Sequence, residues 1–153
     1  MSLGNDNRYR LPQDPDQPLR LLYGDKGPHA SSVFEVHEMI ERGLPSDVVI
    51  AFAESMELDR QAFIKLIGMS ERTLQRRLKH PEPLSAEQSS SAWRLAKVLS
   101  RAEEVLGSRR AAVDWLMAPA LGLEGHAPVD LLTTQVGFEL VDDFLTRLDY
   151  GVY

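Results

Sequence analysis

Apolar residues recur along most of this chain at intervals of three and four, the period of helices with one buried face. The stretch SSVFEVHEMIERG, from Ser31 to Gly43, places Val33, Val36, Met39 and Ile40 near one face and closes on a glycine stop. LPSDVVIAFAESMEL follows, with Pro45 and Ser46 as a start signal and an apolar run through Phe52. In LDRQAFIKLIGMSERTLQRRLKHPEPLS, Asp59 suits an N-cap, and Phe63, Ile64, Leu66 and Ile67 form the inner side of a short helix that Gly68 breaks. Ser70 caps a second short helix whose Leu74 and Leu78, four apart, point inward, and Pro81 and Pro83 end it. Ser85 and Gln88 read as a capping box at the head of one long helix to Gly107, with Trp93, Ala96, Leu99 and Leu106 in its apolar stripe. Ser108 opens a further helix that halts at Pro119. A loop with a short helical turn after Pro128 leads to a closing amphipathic helix whose inner face includes Val141, Phe144, Leu145 and Leu148.

No strand pair and no internal repeat emerge, so the expected fold is all-α. Residues 1–31 break the pattern. Pro12, Pro15, Pro18 and Pro28, with Gly4, Gly24 and Gly27, predict an extended or disordered arm rather than a helix of normal length. LRLLYG, from Leu19 to Gly24, is the one apolar patch in that arm available to dock on the body. The remainder divides into residues 32–106, a helical domain that includes the long linking helix, and residues 107–153, a small helical C-terminal domain.

Composition narrows the possibilities. The 153 residues are 43% hydrophobic and 26% charged, as in a folded globular chain, and no run is long and apolar enough for a membrane span. The absence of cysteine removes disulfides and thiolate metal sites and, with no secretory signal in the first twenty residues, suits the cytoplasm. The net charge of −6 is unevenly spread. Residues 60–80 carry Arg60, Lys65, Arg72, Arg76, Arg77 and Lys79 against Glu71 alone, whereas residues 122–153 carry Glu124, Asp130, Glu139, Asp142, Asp143 and Asp149 against Arg147. One segment suits an anion, the other a cationic or apolar partner; a merely solvated charged face is the plainer reading of each.

The basic segment has the form of a helix-turn-helix, two short helices joined by a tight glycine turn. Ile64, Gly68 and Leu74 stand where that motif needs a packing residue, a turn glycine and a buried second-helix residue. With the leucines inward, Arg72, Thr73, Gln75, Arg76, Arg77 and Lys79 are left for a ligand. Arginine reads guanine edges bidentately, glutamine reads adenine, and serine or threonine holds phosphate. Ser70, opening the helix, would aim backbone amides at a phosphate oxygen. The alternative is an ordinary helical hairpin with a basic solvated face. The basic patch is one hairpin wide, so DNA affinity is expected to depend on dimers that double the phosphate contacts and read a palindromic site.

Catalysis finds little support. HEMIE, from His37 to Glu41, lacks the second histidine of a helical zinc motif, and His29, His80 and His126 are isolated. No nucleophile sits in a recognisable turn, so neither an enzyme nor a cofactor is expected.

The blocks SERTLQRRLK, LSAEQSSSAWRLAKVLSRAEEVLG and AVDWLMAPALGLEGHAPVDLLTTQVGFELVDDFLTRLDYGVY closely resemble the Xre/MbcA/ParS-type antitoxins, over about residues 30 to 153. The most specific parts are APVDLLTT (Ala127 to Thr134), Gly137 and the closing RLDYGV. The resemblance implies an Xre-like DNA-binding domain followed by a toxin-binding domain, the partner being a RES-domain toxin that consumes NAD. It further implies sequestration of that toxin and repression of the protein's own operon, as a homodimer or a larger toxin–antitoxin assembly. A stand-alone repressor whose C-terminal half only dimerises is the competing reading.

Within that resemblance the aromatic end LDYGVY acquires a possible use. Tyr150 and Tyr153, with Gly151 and Val152 between them and a terminal carboxylate, can imitate the flat rings and the anion of a dinucleotide. Asp142, Asp143 and Asp149, with Arg147 among them, would steer the tip toward a basic mouth. The plainer expectation is that the tip packs on Trp115 or Phe144 and only shapes the interface.

Overall fold

A computed structural model describes residues 15–151, and over that range the chain is helical, with no strand among the described residues. The helices are α1 (Asp16–Tyr23), α2 (Val33–Arg42), α3 (Ser46–Ser55), α4 (Arg60–Ile67), α5 (Glu71–Lys79), α6 (Ala86–Leu106), α7 (Arg109–Met117), α8 (Pro128–Leu131) and α9 (Gln135–Asp149). A 3-10 turn at Leu121–Leu123 precedes α8, the short turn expected after Pro128. The all-α expectation therefore holds.

Local chemistry sets most helix starts. Ser32, Asp59, Ser70, Ser108 and Thr134 each accept a hydrogen bond from the backbone amide three residues on. Ser85 and Gln88 form the full reciprocal box, at 3.0 Å and 3.1 Å.

The expected arm is overturned over Asp16–Tyr23. Asp16 to Tyr23 form a helix, because the prolines stand where a helix tolerates them. Pro15 precedes its first turn, Pro18 lies within that turn, where no intrahelical N–H partner is required, and Pro28 comes after the end. Gly24 closes the helix at φ 84°. Leu19 and Leu22 are buried, so the LRLLYG patch docks on the body. Asp16 accepts from the Ala30 amide at 2.8 Å, and that backbone hydrogen bond holds its carboxyl below the usual carboxylate range. Residues 1–14 of the expected arm lie outside the described residues.

The long helix α6 is the axis. Ala92, Leu95, Ala96, Leu99 and Ala102 have no exposed surface, and α1, α2, α4, α7 and α9 all pack on this one helix. A single apolar cluster runs from Leu44, Ile50 and Phe63 through α6 to Leu116, Leu132, Val141 and Leu145. Ser89, fully buried on α6, accepts from the Leu44 amide at 2.8 Å and ties the α2–α3 turn to the axis. On the other side, Arg94 donates to the Leu132 carbonyl at 3.1 Å. Val33 departs from the inward pattern and is exposed, with Phe34, at the start of α2.

Two substitutions probe this packing. Leu19→Ala is expected to lower the unfolding free energy in a urea titration by about 2–5 kcal/mol, whereas a change below about 0.5 kcal/mol is what an undocked arm would give. At Gly137 a Cβ would run into the Leu131 carbonyl. Gly137→Ala is therefore expected to cost about 1–3 kcal/mol, read as a lowered Tm.

Candidate functional site

The basic hairpin is built as the motif requires. α4 ends at Gly68, whose φ of 80° only glycine adopts freely; a Cβ there would meet nothing, so the turn and not crowding selects glycine. Its amide and that of Met69 both return to the Ile64 carbonyl, at 2.9 Å and 3.2 Å, closing the helix end. Ser70 then starts α5, its hydroxyl accepting from the Thr73 amide at 3.0 Å and lying 2.9 Å from the Thr73 hydroxyl. Leu74 is the buried anchor, packed toward α3. Arg60 on α4 pairs with Glu71 on α5 at 3.1 Å, pinning the two helices to each other.

Two expectations fail here. Leu78 is exposed rather than inward. The chain leaves α5 at His80 and turns back to α3, where the Ser46 hydroxyl accepts from the Glu82 amide at 3.2 Å, so the core ends before Leu78. Arg77, expected to stand free for a ligand, is only 15% exposed and pairs with Glu82 at 2.8 Å. It braces the helix exit. Thr73 is half-buried and engaged with Ser70. Arg72, Gln75, Arg76 and Lys79 are exposed on α5, Lys65 is exposed on α4, and none of the four cations among them makes an ion pair among the described residues.

The second candidate region is α9. Thr134 caps its first turn, and its inner face buries Phe138, Val141 and Leu145 against α6 and α8. The Trp115 ring stacks on Phe144 with centroids 6.2 Å apart, and the Arg147 guanidinium lies 5.5 Å from the Phe144 centroid. Asp143 pairs with Arg147 at 3.7 Å. Asp142 faces Arg101 of α6 at 3.8 Å. Tyr150 caps the helix end, half exposed, and Gly151 turns the chain at φ 71°. Of the aromatic tip, Val152 and Tyr153 lie outside the described residues. Asp142, Asp143, Arg147 and Asp149 thus lie along the second half of α9, with Tyr150 and Gly151 in the turn after it.

Sequence reasoning missed Arg101. It is buried on α6 and donates to the Thr146 hydroxyl of α9 at 2.7 Å, fixing the angle at which α9 crosses the axis. Its place in the buried run, three residues after Val98 and one before Ala102, was the available signal. Among the described residues no cluster of histidine and carboxylate groups is arranged to hold a metal ion, and no helix is long and apolar enough to cross a membrane.

Residues 35–97 match the family described as the antitoxin Xre-like helix-turn-helix domain, and residues 101–151 match the antitoxin Xre/MbcA/ParS C-terminal toxin-binding domain. The chain is similar to the antitoxin Xre of Pseudomonas putida, 31% identical over 124 residues that cover 81% of this chain and 77% of the relative. An antitoxin Xre of Yersinia enterocolitica is 27% identical over 140 residues, 91% of this chain and 95% of the relative. A Sphingobium protein named Prs ADP-ribosylating antitoxin is 23% identical over 124 residues, 75% of this chain and 78% of the relative. The basic hairpin falls inside the first matched segment and α9 inside the second, so the chain belongs to the Xre/MbcA/ParS family of antitoxins, with a helix-turn-helix domain and a toxin-binding domain for its toxin partner.

Proposed function

We propose that this antitoxin neutralises a RES-domain toxin that consumes NAD, covering the toxin's active site with its own C-terminal region, and that it binds operator DNA to repress its operon. One observation carries the reading. A basic helix-turn-helix and a segment matched as toxin-binding share one apolar core in a single chain. The name of the Sphingobium relative supports the NAD chemistry, because ADP-ribosylation uses NAD as its donor.

At the DNA end, the α5 N-terminus offers its Ser70-capped amides to a phosphate, while Lys65, Arg76 and Lys79 neutralise the backbone. Arg72 and Gln75 are the base readers, and Arg77 and Thr73 support the helix from behind. A homodimer presents two such helices to a palindromic operator, and toxin-bound assemblies raise the count. At the toxin end, Tyr150 and Tyr153 supply rings to a dinucleotide pocket. Asp142, Asp143 and Asp149 bring the chain to a basic rim, Arg147 orients Asp143, and Gly151 and Val152 carry the chain inward.

Replacing Arg72 and Arg76 together by alanine is expected to weaken binding to the operon's promoter fragment by about a hundredfold, at about 1–3 kcal/mol per contact. Fluorescence anisotropy over a salt series measures this, and the salt slope becomes shallower in the variant. Equal binding by variant and wild type would remove α5 as the reader. Removing Gly151 to Tyr153 is expected to restore NAD loss in a mixture with the toxin; complete suppression by the shortened chain would exclude the plug.

A further inference from the structure

Opposite its core face, α9 carries a second stripe at helical spacing: Val136, Leu140, Asp143, Arg147 and Tyr150, separated by four, three, four and three residues. All five are exposed. Val136 is 68% and Leu140 52% exposed, although neighbours on the same helix such as Val141 and Leu145 are completely buried. The stripe runs about 21 Å at 1.5 Å per residue. Beside it lies the 3-10 turn, where a Cβ on Gly122 would strike the Phe144 ring, and where Leu121 is 99% exposed. Apolar side chains gathered this way on one edge mark an interaction surface rather than scattered surface residues.

We propose that this edge of α9, with Val136 and Leu140 as its apolar anchors, is the docking rail for the toxin, ahead of the tip that reaches the pocket. The proposal rests on the antitoxin reading given above. The whole stripe lies inside the matched toxin-binding segment and runs without a break into Tyr150 and Gly151, where that match ends. The partner chemistry follows from the stripe. The receiving surface is an apolar groove about 20 Å long, rimmed by basic side chains that suit an α9 carrying Glu139, Asp142, Asp143 and Asp149. The exposed Val33 and Phe34 of α2 lie outside that segment and serve as a comparison patch.

The test uses the full-length antitoxin and the purified RES-domain toxin of the same operon, with affinity read by calorimetry. Val136→Lys and Leu140→Lys keep good helix formers at exposed positions, and far-UV circular dichroism and Tm are expected to match the wild type. Each is expected to weaken toxin binding at least tenfold and the double variant further, while Phe34→Lys retains wild-type affinity. Wild-type affinity in both lysine variants overturns the rail and leaves the antitoxin reading standing. Equal weakening by Phe34→Lys also overturns it, since the effect would not belong to α9. Unchanged toxin affinity with a dimer-to-monomer change in sedimentation assigns the stripe to a second copy of the chain instead. If the wild-type antitoxin itself does not bind the toxin, the parent reading fails and the rail with it.

Discussion

Everything in this fold leans on the burial of one helix. α6 presents alanines at 92, 96 and 102 and leucines at 95 and 99, all without solvent contact, so neighbouring helices approach closely where the side chains are small and interlock where they are large. Each buried leucine contributes about 1.5–3 kcal/mol. α2 and α4 pack on α6 from one matched segment and α7 and α9 from the other, and the two segments meet within this helix, between residues 97 and 101. The helix-turn-helix and toxin-binding parts are therefore two faces of one core. They are not independent bodies on a linker.

Charge is arranged on that core by position rather than in total. The chain is acidic overall, but at physiological salt charges separated by more than about 8 Å are largely screened from each other, so the acidic α9 does not cancel the basic α5. Part of the basic charge is spent on architecture. Arg60 binds Glu71 and Arg77 binds Glu82, which fixes the pitch of α5 against α4 and its exit toward α3. What is left without an ion pair among the described residues is the outer row of Arg72, Arg76 and Lys79 with Lys65.

The sequence was legible where the physics is local. Caps at Asp59, Ser70, Ser85 and Ser108 depend on a side chain and an amide three residues away, and each stands where the residue pattern places it. The closing block from Ala127 to Val152 was distinctive enough to reveal the family. Three features needed the tertiary structure. α1 was hidden because prolines were weighed by number, whereas their place within the first turn decides whether they break a helix. Leu78 was read inward because helical periodicity does not say where the core ends. Arg77 reads as exposed in the sequence because its partner Glu82 lies beyond the helix-ending Pro81 and meets it only after the chain turns back.

The C-terminal half holds its helix unusually firmly for a segment so near a chain end. Thr134 caps α9, Gly137 lets its first turn press against the Leu131 carbonyl, and Arg101 grips Thr146 one turn from the end. These contacts fix both the rotation and the tilt of α9, so the side chains on its solvent edge are already set when a partner arrives. A partner received along such an edge forgoes the cost of ordering the backbone, about 1–2 kcal/mol for each residue otherwise fixed on binding. Exposure of Val136 and Leu140 is tolerable on a helix held this way, because its inner face and its caps keep it folded without them. Val136 and Leu140 on the solvent edge of α9 are thereby left outside the core that holds the helix in place.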